Sequence, residues 1–270
     1  MPIKHLVRGF GAAGILALSV FSTPSLADET HPATPGKTFR DCDKCPEMVV
    51  IPSGTVLGGN PKDFADEPNG GAAVRPKVVV QKPFAIGKYE VTQSEWDAVM
   101  DSNPSNNKGP ALPVEQITWK DTQEYIHRLN AKTGKHYRLP SEAEWEFAAR
   151  ANSAEPYTYG TDEAALKAHA WFRDNAEGKT HPVGQLKPNA FGVYDMLGNA
   201  WEWIEDCYGA NLTSSSPEYF TKEWPKVCYR VIRGGSIENI ASAATLFSRA
   251  SLKQVNHNIN VGFRVAHSVP

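Results

Sequence analysis

Gly192-Val193-Tyr194-Asp195-Met196-Leu197-Gly198-Asn199-Ala200-Trp201-Glu202-Trp203 is the stretch on which the reading of this chain turns. Its first eight residues mix glycine with aspartate and asparagine, residues that accept tight-turn backbone conformations others avoid. Asp195 and Glu202 place hard anionic oxygens at either side of that turn. The turn between them can aim backbone carbonyls inward, and a calcium ion takes about six to eight oxygens of this kind. The same two acids can equally bond turn amides as ordinary loop residues. Two further marks follow downstream, Arg233-Gly234-Gly235-Ser236 and Gly262-Phe263-Arg264.

The start of the chain reads as an address. Lys4 and Arg8 precede an apolar run, Gly9 to Phe21, that is too short to span a bilayer. Ser25-Leu26-Ala27 is a small-x-small cleavage site. Residues 1–27 are therefore expected to be a signal peptide, and the protein to be exported, periplasmic or secreted. Loss of Lys4 and Arg8 changes 28 basic against 30 acidic residues to 26 against 30, a formal charge near −4. That balance gives no basis for nucleic acid as a partner or for a membrane surface, and no later apolar stretch reaches membrane length, so no membrane insertion is expected.

Cys42, Cys45, Cys207 and Cys228 all fall in the exported part. An even number in an oxidising compartment reads as two disulfides. Proximity pairs Cys207 with Cys228, which closes a loop worth ~3 kcal/mol in the chain-entropy model. Cys42 and Cys45 remain as a local clip in Asp-Cys-Asp-Lys-Cys-Pro. The other reading of this CxxC is a redox pair, although the strand–turn–helix setting of a thioredoxin-like site is not in the sequence around it.

Residues 28–45 are expected to be a flexible lead-in carrying the clip, and residues 46–270 one domain. Met48-Val49-Val50-Ile51 is a short apolar strand, and Lys77–Val80 with Phe84–Ile86 reads as a strand pair interrupted by Pro83. Thr92-Gln93-Ser94-Glu95 and Ser141-Glu142-Ala143-Glu144 are capping boxes, in which hydroxyl and carboxylate satisfy the free amides of a helix start. Thr118 opens another helix, with Tyr125, Ile126 and Leu129 on one face and Gly134 near its end. From Ala151 onward glycine, asparagine, proline and serine dominate. That half is expected to be loops and short strands that need staples such as a disulfide and a bound ion.

Seven landmarks now stand in order: Met48–Gly54, Tyr89-Glu90-Val91-Thr92, Pro113-Val114, Arg138–Glu146, Gly198–Trp203, Arg233–Ser236 and Gly262–Arg264. In this series the chain resembles the formylglycine-generating enzyme family, also called the sulfatase-modifying factor family, over Met48 to Ala266. The resemblance implies an α+β fold, a single compact loop-rich domain of C-type lectin-like type. It implies structural calcium held by side chains of Asp195 and Glu202 and backbone oxygens of Gly198 and Ala200. It also implies a groove beside Gly234-Gly235-Ser236.

The family's oxygen-dependent chemistry uses two cysteines just after that Gly-Gly-Ser turn to bind copper(I). Soft thiolates suit Cu(I), and carboxamides and methyls do not. The matching positions here hold Asn239 and Ala244, and no cysteine occurs in the 42 residues after Cys228. Copper is therefore not expected. Glu238 and Asn239 are the remaining candidates for catalysis, with Arg249 lining the same groove. Glu238 would be a general base if the groove desolvates it. Arg249 and Arg264 can instead tie loops together through carboxylates and carbonyls. Some exported members of the family mature secreted peptides without the cysteine pair. The resemblance thus implies a protein that acts on an exported protein or peptide. The alternative is a non-catalytic lectin-like module that binds a protein or ligand in the cell envelope.

Overall fold

The computed structural model describes residues 34–60, 76–208 and 228–269, within one compact unit spanning His31–Pro270. The expected signal peptide lies outside the described residues.

A five-stranded sheet holds β1 (Thr38–Phe39), β2 (Met48–Ile51), β5 (Phe84–Gly87), β6 (Tyr137–Arg138) and β11 (Ala266–Ser268), in the order β1-β2-β5-β11-β6. All four residues of β2 and of β5 are buried. Such continuous apolar runs suit strands covered on both faces. A four-stranded sheet of β7 (Trp201–Cys207), β8 (Tyr229–Arg233), β9 (Arg249–Lys253) and β10 (Val261–Gly262) runs β10-β7-β8-β9. A third, two-stranded sheet joins β3 (Gly54–Leu57) to β4 (Lys77–Val80). The sequence reading therefore needs a correction. β4 and β5 are not partners, because β4 pairs β3 while β5 lies between β2 and β11.

The helices start where their capping chemistry lies. Thr92 caps α1 (Gln93–Asp97), Thr118 caps α2 (Trp119–Thr133) and Ser141 caps α3 (Glu142–Arg150). Each has a reciprocal capping box, closed in α2 by Asp121 rather than Glu. α2 ends on Gly134 in the left-handed region, φ 70°. Trp96, Tyr125 and Phe263 form one aromatic cluster, with Trp96 and Tyr125 stacked at 5.4 Å.

The expected boundary at residue 46 is also corrected. Gly36 N–H donates to Val50 O and Val50 N–H to Lys37 O, β1 pairs β2, and Cys45 is wholly buried. The domain therefore begins some ten residues before the strand that announces it, and the CxxC clip is part of it. Both expected disulfides are formed, Cys42–Cys45 and Cys207–Cys228.

α3 is buried along its whole length although three of its nine residues are glutamates. Buried carboxylates persist only when paired, and each has a guanidinium. Arg249 grips Glu142 with Nε and Nη2 at 2.6 and 2.9 Å. Arg138 grips Glu144 at 2.6 Å through two nitrogens. Glu146 takes Arg233 at 2.7 Å and Arg150 at 2.9 Å.

Asp206 stands apart, accepting the Glu142 backbone N–H at 2.7 Å. Burial, reinforced by Glu142, Glu205 and Glu144, pushes its carboxyl up to about 7. A folded-state pKa above the unfolded value gives stability that is full below pH ~4 and is lost as pH rises towards 7. We predict that Asp206→Asn flattens the fall in stability between pH 5 and 8, a difference of up to a few kcal/mol. Urea midpoints of both proteins across that range check it, and parallel curves would refute it.

Candidate functional site: a buried acid cluster beside the Gly-Gly-Ser loop

Three carboxylates surround one guanidinium beneath the Gly192–Trp203 turn. Glu90, Asp195, Glu202 and Arg264 are all nearly or wholly buried. Arg264 forks onto Glu202, Nε to Oε2 at 2.7 Å and Nη2 to Oε1 at 2.6 Å, and also donates to the carbonyls of Gly87 and Tyr194. Trp145 Nε1 donates to Glu202 Oε2 at 2.7 Å. Glu90 accepts from Asn199 Nδ2 at 2.7 Å and from Ala200 N at 2.9 Å. Asp195 Oδ2 accepts from Gly184 N at 2.7 Å, while its Oδ1 is buried with no hydrogen-bond partner.

The electrostatics follow from the count. One cation faces three acids, so burial, together with Asp195 and Glu202, holds Glu90 well above the usual carboxylate range. Burial likewise pushes Asp195 up to about 6 against the opposing Gly184 N–H and Arg264. Arg264 is raised by Glu202, Glu90 and Asp195 against its own burial.

The donor set fits calcium. Asp195 Oδ1 is a hard oxygen without a partner, and three donors to the Glu202 carboxylate leave Oε1 a spare lone pair. A divalent ion would offset the excess negative charge. No three His, Cys, Asp or Glu side chains converge as a metal cage among the described residues. An ion here would therefore lean on backbone oxygens, as calcium does.

The turn's backbone is as special as its side chains. Asp195 and Asn199 both have φ 53°, and Gly198 has φ 75°. A Cβ on Gly198 would lie 2.1 Å from the Trp171 carbonyl oxygen, so only glycine fits.

Main-chain bonds zip this turn to its neighbours. Gly198 N–H donates to Gly234 O, Ile237 N–H to Asn199 O, Asn199 N–H to Trp171 O, and Arg173 N–H to Asn239 O. The Gly192–Trp203 turn, the Gly-Gly-Ser loop and the 171–173 segment thus form one unit.

In the Gly-Gly-Ser loop Asn239 Oδ1 accepts the Ser236 N–H at 2.8 Å and faces Ser236 Oγ at 3.2 Å. Its carboxamide oxygen serves the loop's own backbone. Ala244 is fully buried. The two positions of the family's thiol pair therefore hold a turn cap and a packed methyl, and all four cysteines are in disulfides. These residues do not fit copper(I).

Glu238 is exposed, so the desolvation that a general-base role requires is not provided. Arg249 is held by Glu142 and lies over the Tyr208 ring at 4.3 Å. Glu238 and Asn239 share a loop, and no hydrogen bond or ion pair between described residues links Arg249 to either. Arg249 and Arg264 both tie elements together. Glu90 was overlooked as a member of the acid cluster, although it stands in the Tyr-Glu-Val-Thr landmark.

Residues 34–269 match the Sulfatase-modifying factor enzyme 1-like domain. The chain belongs to that family. Among solved structures it is similar to PvdO from Pseudomonas aeruginosa, with 34% identity and a TM-score of 0.74 over 87% of this chain and 99% of that one. It is 29% identical to the chaperone protein LppX of Paenibacillus barcinonensis over 71% of this chain and 82% of that protein. It is 28% identical to a formylglycine-generating enzyme of Thermomonospora curvata over 73% of this chain and 68% of the enzyme.

Proposed function

We propose that this member of the family is exported and acts on or matures an exported protein or peptide by a route other than copper–thiolate chemistry. The observation that carries this reading is the filling of the thiol positions by Asn239 and Ala244 in a loop whose Gly-Gly-Ser frame is intact. The frame still presents a face to a polypeptide. Glu238 is exposed, Ile240 is 40% exposed, and Arg173, whose amide is pinned to the Asn239 carbonyl, carries its guanidinium in solvent. Alternating charge and apolar surface suits an extended chain that presents side chains of both kinds.

A structural calcium ion belongs to the same proposal. Asp195 and Glu202 side chains with Gly198 and Ala200 backbone oxygens would hold it. It would neutralise the acid cluster and so brace the loop zipped to it.

A second reading is favoured by Glu238, Asn239 and Arg249 not meeting: a module that binds an exported polypeptide without changing it. The similarity to a protein named as a chaperone points the same way.

One experiment separates the readings. The mature protein is analysed for bound metal, and oxygen uptake is followed with thiol peptides. Exported polypeptides from cells with and without the gene are compared by mass. Calcium without copper, no oxygen uptake and a mass change that is lost in the Ile240→Asp variant would support maturation. Binding of an unchanged polypeptide, equally sensitive to Ile240→Asp, would favour the module. Stoichiometric copper with oxygen uptake would overturn both.

A further inference from the structure

The Cys42–Cys45 clip is placed to do chemistry as well as to hold a turn. We infer that it is a thiol–disulfide exchange site that takes accessible dithiols of exported polypeptides. The inference goes beyond the function proposed above and shares with it only the premise of export.

The two cysteines of the pair are unequally placed. Cys42 is half-buried and Cys45 is fully buried. Exchange requires one sulfur that an incoming thiolate can reach and a second that leaves and later resolves, and this pair supplies both. Cations lie on either side. Arg40 Nη1 donates to the Cys45 carbonyl at 2.7 Å, which places a guanidinium, shared with Glu47 and Glu95, beside the residue whose sulfur must leave as thiolate. Lys44 stands between the two cysteines, its Nζ 3.2 Å from Ser94 Oγ. Positive charge near a thiol favours its thiolate.

Bonds other than the disulfide also hold the loop's shape. Cys45 N–H donates to Cys42 O, Tyr137 Oη donates to Asp41 Oδ2, and Arg40 pairs with Glu47 and Glu95. With a sequence separation of 3, the bond also closes the shorter of the two disulfide loops, against 21 for Cys207–Cys228. Loop-closure entropy therefore gives it the smaller share of stability. A disulfide that opens while the surrounding hydrogen bonds persist can be reduced without unfolding the domain.

The step balances as follows. A substrate thiolate attacks Cys42 Sγ, a mixed disulfide forms, and Cys45 Sγ leaves with the electron pair. A second substrate thiolate then attacks its partner sulfur in the mixed disulfide, and Cys42 Sγ leaves. The substrate gains a disulfide, the pair gains two electrons, and the two protons from the substrate thiols end on Cys42 and Cys45.

The test uses the full mature protein and a synthetic peptide with two reduced cysteines. Glutathione buffers of graded ratio, followed by alkylation and mass measurement, should open Cys42–Cys45 before Cys207–Cys228. The oxidised protein should oxidise the peptide at least about tenfold faster than the Cys42→Ser/Cys45→Ser double variant. With the peptide supplied as its own disulfide, the lone Cys42 thiolate of Cys45→Ser should trap it as a mixed disulfide, one peptide sulfur leaving as thiol, and Cys42→Ser should trap far less. Opening of Cys207–Cys228 first, or peptide oxidation no faster than with the double variant, would overturn the inference. If the double variant fails to fold, the glutathione titration of the unaltered protein decides alone. Failure here leaves the proposal for the Gly-Gly-Ser face intact, since that one is read from polypeptide masses and Ile240.

Discussion

Arg264→Met is expected to remove about 3–5 kcal/mol of stability, the cost of leaving buried charge without its partner. The guanidinium is the sole basic side chain bonded to Glu202 among the described residues, and it also ties down the carbonyls of Gly87 and Tyr194. Its removal leaves Glu202, Asp195 and Glu90 facing one another in a dry space. Urea unfolding checks this through a lowered midpoint at constant slope. A second variant sharpens the test, because Arg264→Met with Glu202→Gln removes one of the stranded charges and should recover part of the loss. Excess calcium should also raise the midpoint of the single variant more than that of the double, since the latter lacks one of the carboxylates proposed to hold the ion. A stability loss below about 0.5 kcal/mol for Arg264→Met would show that the acids do not need the guanidinium.

Gly198→Ala should be nearly as damaging, for a different reason. Alanine at φ 75° pays for a left-handed backbone, about 1–2 kcal/mol. Its methyl would also meet the Trp171 carbonyl oxygen at 2.1 Å, and that atom is backbone, so a peptide unit must move. The combined loss is expected to reach about 3 kcal/mol or more, within the range of substitutions that strain a special conformation. Gly192→Ala is the matched comparison. It has φ 78° with open space where the methyl would go, so it pays only the conformational part. Thermal unfolding of the two variants side by side separates collision from conformation, and equal losses would refute the collision. Calcium titration should further show weaker binding for Gly198→Ala than for Gly192→Ala.

Local chemistry in the sequence proved the most legible part of this fold. Thr92, Thr118 and Ser141 each open a helix because a capping box needs only four consecutive residues. The disulfides were legible from the even count, their spacing and the expected compartment. Strand pairing was not. β4 and β5 are adjacent in sequence but belong to different sheets, and strands of four residues carry too short an alternation to name a partner. The bonded role of residues 36–45 was missed because their composition is that of a polar lead-in, while their order comes from bonds to Val50, Glu47, Glu95 and Tyr137. At the site, Asp195 and Glu202 were legible from the turn that holds them. Glu90 was not, because it reaches the cluster from more than a hundred residues upstream, through Asn199 and Ala200. The exposure of Glu238 is likewise a property of the folded loop alone.

The position of β11 has a consequence for timing. This last strand in chain order lies between β5 and β6, so two earlier parts of the sheet wait for residues 266–268 to join them. A ribosome or a translocation pore releases a chain from its N-terminal end, and non-local pairing of this kind cannot be completed before residues 266–268 emerge. If the chain is exported, as we propose, and crosses unfolded, this order of events would work in its favour. The polypeptide would stay threadable during such a passage, and the sheet would be sealed only on the far side, where the cysteines could pair.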